Sequence, residues 1–295
     1  MDQIESTHIN RHHKQRTLKN IATFSGIGLH TGEGVTMRFC PAIEDTGIIF
    51  KRTDLPNHPV IPAKVDCVCS HMRNTTLGSG DVRIHTVEHV LAAVAAFEID
   101  NLVIELDSIE PPVGNGSSDV FVKMIETAQI QEQNKESPVI SLHRPIYLSE
   151  GEIHMVAIPC DHYRISYTLN YPNTPLLKSQ YFSSAINQEI FKNEIAPCRT
   201  FSLYEEVSSL MDRGLIKGAS LDNAVVIKDD TILSKNGLFF PDEMVRHKIL
   251  DMIGDFSLVG YRFLAHIISI RSGHASNVAL AKKIFNYINA EIKNT

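Results

Sequence analysis

The apolar positions change period several times along the chain, and each change marks an element. Alternating runs predict strands over 16–24 and 35–39, on either side of a glycine-rich turn, Ser25-Gly-Ile-Gly-Leu-His-Thr-Gly-Glu-Gly. Such a turn cradles phosphate when a helix follows it. A strand follows here, so the pattern predicts a hairpin with special backbone angles. Further strands are expected over 47–52, 63–69 and 75–77, with a loop over 56–62. An Ala- and Leu-rich helix is expected over 85–97, then a strand over 101–106, a turn-rich loop over 110–118 and a helix over 119–128.

Residues 131–138 are polar and end in Pro138, which predicts a linker. After it the pattern recurs, with strands over 139–142, 146–148, 153–158 and 163–169, then a short strand at Arg199-Thr-Phe. A helix over 203–211, a strand over 223–227, a helix from Pro241, a strand over 265–269 and a last helix from Ala275 follow. Both halves read as strands then helices, the order of an α+β fold made of two units of related build. The boundaries expected are a loose tail over 1–14, a first domain over 15–132 and a second over 138–295. The segment from Tyr204 to Ser220 interrupts the second half with an apolar face of Val207, Leu210, Leu215 and Ile216, continuing Leu203. It reads either as a helix packed on the core or as a groove for an apolar ligand.

The helix from Pro241 carries the most unusual chemistry. Pro241 suits its first turn, and Asp242 and Glu243 suit its positive end. Met244, Ile249, Leu250 and Ile253 make one apolar side, while His247, Asp251 and Asp255 stack four residues apart. Charges beside a core are costly unless paired or bound to metal. A solvated stripe helped by Arg246 and Lys248 is the plainer alternative. His85-Thr-Val-Glu88-His89 shifts the balance, because it places a carboxylate next to an imidazole, as zinc hydrolases place a base next to a ligand. With His85 and His89 taken as one face of a helix, the segment also fits the inverted zinc-peptidase pattern. His274, in Arg271-Ser-Gly-His between a strand and a helix, has a side chain suited to proton transfer.

Composition narrows the classes. At 295 residues the chain makes one large or two ordinary domains. A net charge of −6 disfavours a nucleic-acid partner. The five cysteines, Cys40, Cys67, Cys69, Cys160 and Cys198, lack a CxxC spacing and read as reduced thiols of a cytosolic protein. No apolar run is long enough to span a bilayer. The histidines of the tail, His8, His12 and His13, read as solvated. The physical reading is a metallo-hydrolase: zinc lowers the pKa of a water, Glu88 takes its proton, and hydroxide attacks a carbonyl. His274, held protonated by Asp255, protonates the leaving amine, and Thr200 and Lys248 serve an oxyanion or an anionic substrate.

The motifs His85-Thr-Val-Glu-His89, Arg246-His-Lys-Ile-Leu-Asp-Met-Ile-Gly-Asp255 and Ser272-Gly-His274 resemble those of the zinc-dependent UDP-3-O-acyl-N-acetylglucosamine deacetylases of bacterial lipid A synthesis. So do Gly26-Ile-Gly-Leu-His-Thr-Gly and Cys198-Arg-Thr-Phe201, and the similarity runs from about Arg16 to about Ile284. The resemblance implies one zinc per chain, with iron as the alternative, held by His89, His247 and Asp251. It implies Glu88 as base, His274 as acid, Asp255 as the support of His274, and Thr200 and Lys248 at the reaction centre. Phe201 would lie against the sugar, and the insert over 203–221, with Leu203 and Ile216, would form the passage for the acyl chain. The implied fold is two similar two-layer α/β sandwiches whose helices pack between two sheets. The implied reaction removes acetate from the 2-amino group of the nucleotide sugar, the committed step of lipid A synthesis, in a cytoplasmic monomer. Two positions depart from the family pattern. Asn115-Gly-Ser stands for Asp-Gly-Ser, a structural position, and Lys217-Gly-Ala219-Ser stands for Gly-Gly-Ser, which bears on the acyl passage.

Overall fold

A computed structural model describes residues 9–70 and 73–293. The first half runs β1 (Ile9–Leu18), β2 (Ala22–Ile27), β3 (Gly34–Pro41), β4 (Ile48–Arg52), β5 (Val60–Pro62), β6 (Val68–Ser70), β7 (Thr76–Ser79), β8 (Val82–Ile84), α1 (Glu88–Ala96), β9 (Leu102–Leu106) and α2 (Asp119–Ala128). The second runs β10 (Ile130–Ser141), β11 (Ile146–Glu150), β12 (Ile153–Ile158), β13 (Arg164–Tyr171), β14 (Lys178–Ala185), α3 (Gln188–Ile190), β15 (Phe201–Leu203), α4 (Tyr204–Asp212), β16 (Val225–Lys228), β17 (Thr231–Leu233), α5 (Glu243–Ser257), β18 (Arg262–Leu264), β19 (His266–Ile270) and α6 (His274–Lys293).

The two halves repeat one topology. The first five-stranded sheet has the order β2-β3-β9-β4-β5, and the second β11-β12-β19-β13-β14. In each, a strand that follows the main helix (β9 directly, β19 after β18) enters the middle of the sheet, parallel to one neighbour (β4 with β9, β13 with β19) and antiparallel to the other. Each half also inserts a three-stranded sheet before its main helix, β6-β7-β8 before α1 and β15-β16-β17 before α5. The α+β class and the related build of the halves therefore stand, although no residue-level repeat betrays them.

The main helices α1 and α5 pack directly on each other between the sheets. Eight of the nine α1 residues are buried, as expected of a helix apolar on every side. Gly254 permits the close approach. A Cβ there would lie 2.1 Å from the carbonyl oxygen of Glu88, so no larger residue fits without moving a helix.

Two expectations need correction. Residues 131–138 are not a loose linker but lie inside β10, which pairs antiparallel with β1 and parallel with β18. Residues 9–14, expected in a tail, form the start of β1, whose partner is that same segment; residues 1–8 lie outside the described residues. Each strand satisfies the other's backbone groups, so a polar sequence still makes a regular ribbon. His13, read as solvated, has Nε2 2.9 Å from Asp100 Oδ1. Smaller differences follow the same logic. Part of the 63–69 strand is a 3-10 turn, Val65–Cys67, and β5 occupies the end of the loop expected over 56–62.

Candidate active site

The hairpin turn between β2 and β3 is fixed by a buried carboxylate. Glu110, fully buried, accepts from the backbone N–H groups of His30 and Thr31 and from the hydroxyls of Thr31 and Thr86. The turn thus leans on the loop that precedes α2, and His30 lines the cavity beyond it. Both ring nitrogens of His30 are buried without a partner.

Thr86 marks where α1 departs from expectation. Its φ of +54° turns the chain just before the helix, so α1 begins at Glu88 and His85 stays outside it. His85 and His89 therefore do not share a helical face. His85 instead sets Nδ1 2.9 Å from the Thr76 hydroxyl.

His89 from α1 and His247 and Asp251 from α5 converge, with ligand-type atoms all within 4.8 Å of one another. Nε2 of His89 lies 3.5 Å, and Nε2 of His247 3.4 Å, from the same oxygen, Asp251 Oδ1. That oxygen is buried and has no hydrogen-bond partner. The rings of His89 and His247 meet edge to face, centroids 4.9 Å apart. His247 Nδ1 lies 3.0 Å from the carbonyl oxygen of Cys198, an arrangement in which Nδ1–H donates and leaves Nε2 with a free lone pair. Burial keeps this imidazole neutral, lowering its pKa to about 3. Burial opposes the charge on Asp251, but Lys248 outweighs it and holds the carboxyl well below its usual range. Two imidazoles and one carboxylate, with one oxygen left unpaired, fit a divalent cation of the zinc type.

Two further groups face this set. Glu88 Oε2 accepts from the backbone N–H of Thr75 at 3.0 Å, and burial raises its pKa. His274, at the start of α6, sets Nδ1 3.0 Å from Asp255 Oδ2 and Nε2 3.8 Å from Glu88 Oε1. Burial disfavours its charge, but Asp255 and Glu88 more than compensate and raise it to about 9. Asp255, fully buried, also accepts from the Thr75 hydroxyl at 2.5 Å and from Asn277 Nδ2 at 2.9 Å. A carboxylate with a raised pKa beside a protonated imidazole is chemically suited to act as an acid–base couple.

Lys248 Nζ donates to Asp251 Oδ2 at 2.9 Å and lies 5.5 Å from the centre of the Phe201 ring. Thr200 and Phe201 reach the site because Arg199 is pinned. Its guanidinium and backbone N–H are bonded to Glu243 at the start of α5, both residues being buried. Glu88, His274, Lys248, Thr200, Phe201 and the His89–His247–Asp251 set line one cavity of about 330 Å³, whose wall also includes His30 and Tyr171. It runs into a groove of about 390 Å³ lined by Val207, Leu210, Leu215, Ile216, Ala224 and Val226, the two sharing Leu29, Thr200 and Phe201. Ile216 thus lines the groove, whereas Leu203 closes β15 and packs against the core. Thr75, His30, Glu110 and Asn277 carried no signal in the sequence beyond their place near the motifs.

Residues 15–286 match the model of the LpxC family, UDP-3-O-acyl N-acetylglycosamine deacetylase. The chain belongs to this family. Proteins named UDP-3-O-acyl-N-acetylglucosamine deacetylase are among its relatives. One from Chlamydia felis is 52% identical over 92% of this chain and 96% of its own length. Others, from Chlamydia pneumoniae and Chlamydia trachomatis serovar D, are 49% and 45% identical, over 92% and 94% of this chain. Membership of this deacetylase family makes the protein a hydrolase of an amide bond. No helix among the described residues is long and apolar enough to cross a membrane.

Proposed function

We infer that the protein removes acetate from the 2-amino group of UDP-3-O-acyl-N-acetylglucosamine, in the cytoplasm, as the step that commits this sugar to lipid A synthesis. The observation that carries the reading is the meeting of three buried donors, one with an orphaned oxygen, beside Glu88 and the His274–Asp255 pair. Zinc, or iron in its stead, held by His89, His247 and Asp251, would supply Lewis acidity at the amide carbonyl and the attacking water.

The chain's own residues do the rest. Glu88 Oε1 takes a proton from the attacking water, a task its raised pKa suits. His274 Nε2 gives its proton to the leaving amine nitrogen as the C–N bond breaks, so acetate and the free amine separate with the protons balanced. Asp255 keeps His274 charged and turns Nε2 toward Glu88. Lys248 and the Thr200 hydroxyl stabilise the charge that develops on the carbonyl oxygen. Phe201 lies against the sugar, and the groove past Ile216 takes the acyl chain, its apolar lining suiting a hydrocarbon. Leu203 backs that groove from the core.

The test combines turnover with metal content. Wild type is expected to release the amine from the nucleotide sugar, to lose this on chelation and to regain it with zinc. His85→Ala is expected to keep about one tightly held metal, and His247→Ala to lose it. Metal loss in His85→Ala would move the site to the peptidase pattern, and a wild type that never binds metal would end the hydrolase mechanism.

A further inference from the structure

Thr75 touches both ends of the acid–base couple, although neither partner is near it in the chain. It stands just before β7 and is fully buried. Its N–H donates to Glu88 Oε2 at 3.0 Å, and its hydroxyl donates to Asp255 Oδ1 at 2.5 Å. Its carbonyl oxygen accepts from the N–H of Val87, one residue before α1, at 3.2 Å. The same hydroxyl lies 3.3 Å from His274 Nδ1.

The consequence follows from the 3.8 Å that separate Glu88 Oε1 from His274 Nε2. An imidazolium and a carboxylate this close, out of water, attract strongly and would close to a direct hydrogen bond of about 2.8 Å if free to do so. The closed pair would occupy the lone pair that accepts a proton from water. It would also occupy the proton meant for the leaving amine. Two tethers oppose that closure, and Thr75 supplies one to each side. Its N–H holds Glu88, while its hydroxyl, together with Asn277 on the other oxygen, holds the Asp255 carboxylate that orients His274. We propose that Thr75 is a positioning residue that keeps Glu88 and His274 apart, so that base and acid stay separately available. The inference rests on the deacetylase reading for what the two groups do, and on the hydrogen bonds alone for what holds them.

The hydroxyl is the testable part. Thr75→Val keeps the shape and the backbone N–H but leaves Asp255 Oδ1 without that donor. Thr75→Ser keeps the donor and loses only a methyl group. Each variant is measured as the metal-loaded enzyme, by steady-state kinetics and by the downfield proton resonance of the His274 imidazole N–H, assigned by its loss in His274→Gln. Thr75→Val is expected to lower kcat at least tenfold, leave KM within twofold and move the resonance. Thr75→Ser is expected to stay within threefold of wild type with the resonance in place. Should the valine variant fail to fold, Thr75→Cys, a weaker donor of similar size, is expected to show the same shift and loss. An unmoved resonance in Thr75→Val overturns the proposal whatever the activity. A serine variant as impaired as the valine variant also overturns it, because the methyl group would then be the part that matters. Absent turnover by wild type would sink the deacetylase reading and still leave the resonance to judge Thr75.

Discussion

Replacing Gly254 by alanine tests whether the contact between α1 and α5 sets the geometry of the site. In an ordinary helix Gly→Ala stabilises by about 0.8–1 kcal/mol through propensity alone. Here the new Cβ would sit 2.1 Å from the Glu88 carbonyl oxygen and 2.9 Å from its Cα, where ordinary contact begins at 3.4 Å. The helices must therefore part by about 1.3 Å along that direction, the difference between those two distances. Overpacking a close-packed interior costs about 1–3 kcal/mol, so the sign reverses and a net loss of up to about 2 kcal/mol is expected. The functional effect is larger than the loss of stability. Glu88 and His89 open α1, while His247, Asp251 and Asp255 lie along α5, so the shift pulls His89 away from Asp251. A misplacement near 1 Å costs roughly 100-fold in rate. The assay is thermal unfolding, metal content and amine release on the purified variant. A Gly254→Ala protein that melts at or above the wild-type temperature with full metal and rate would refute the argument that this contact spaces the donors.

Other expectations follow from the same geometry. Chelation should lower the melting temperature as well as the rate, because a bound cation at 1,000 times its Kd stabilises by about 4 kcal/mol and relieves the orphaned Asp251 oxygen; calorimetry with and without chelator reads it. His274 is raised from 6.5 to about 9, so its proton is present below about pH 9 and activity should fall above it. Asp255→Asn removes the main cause, and the basic limb of the rate profile should move toward lower pH, with an unmoved limb assigning it to another group. Arg199→Met strips the partner from a buried Glu243 and is expected to destabilise by about 3–5 kcal/mol, measured by denaturant unfolding; a loss under about 1 kcal/mol would mean that water reaches Glu243.

Much of the architecture was legible because it rests on period. The apolar run after His89, the stacked charges of α5 and the alternation of β3, β9 and β13 all follow from which faces are buried. The misreadings arose where satisfaction is not local. The polar segment 131–138 looked like a linker, yet β1 supplies its backbone partners from far along the chain. His85 looked helical because nothing about Thr86 announces a positive φ, a conformation imposed by the hold of Glu110 on its hydroxyl. The metal-type donors were legible as types at helical spacing. The tethers on them were not, since Thr75 and Asp255 are 180 residues apart.

The seam between the two main helices also shapes how the chain can be made. α1 is buried on every side, and the side that meets α5 has no cover within its own half. Its cover begins only at Glu243. At ~5–20 residues per second, a ribosome leaves that apolar face open for on the order of ten seconds after α1 emerges. The surface that later assembles the reaction centre is thus a liability during synthesis, open to chaperones and to stray partners. Slower translation lengthens the exposure, so the yield of soluble protein should depend on the speed at which the second half is read.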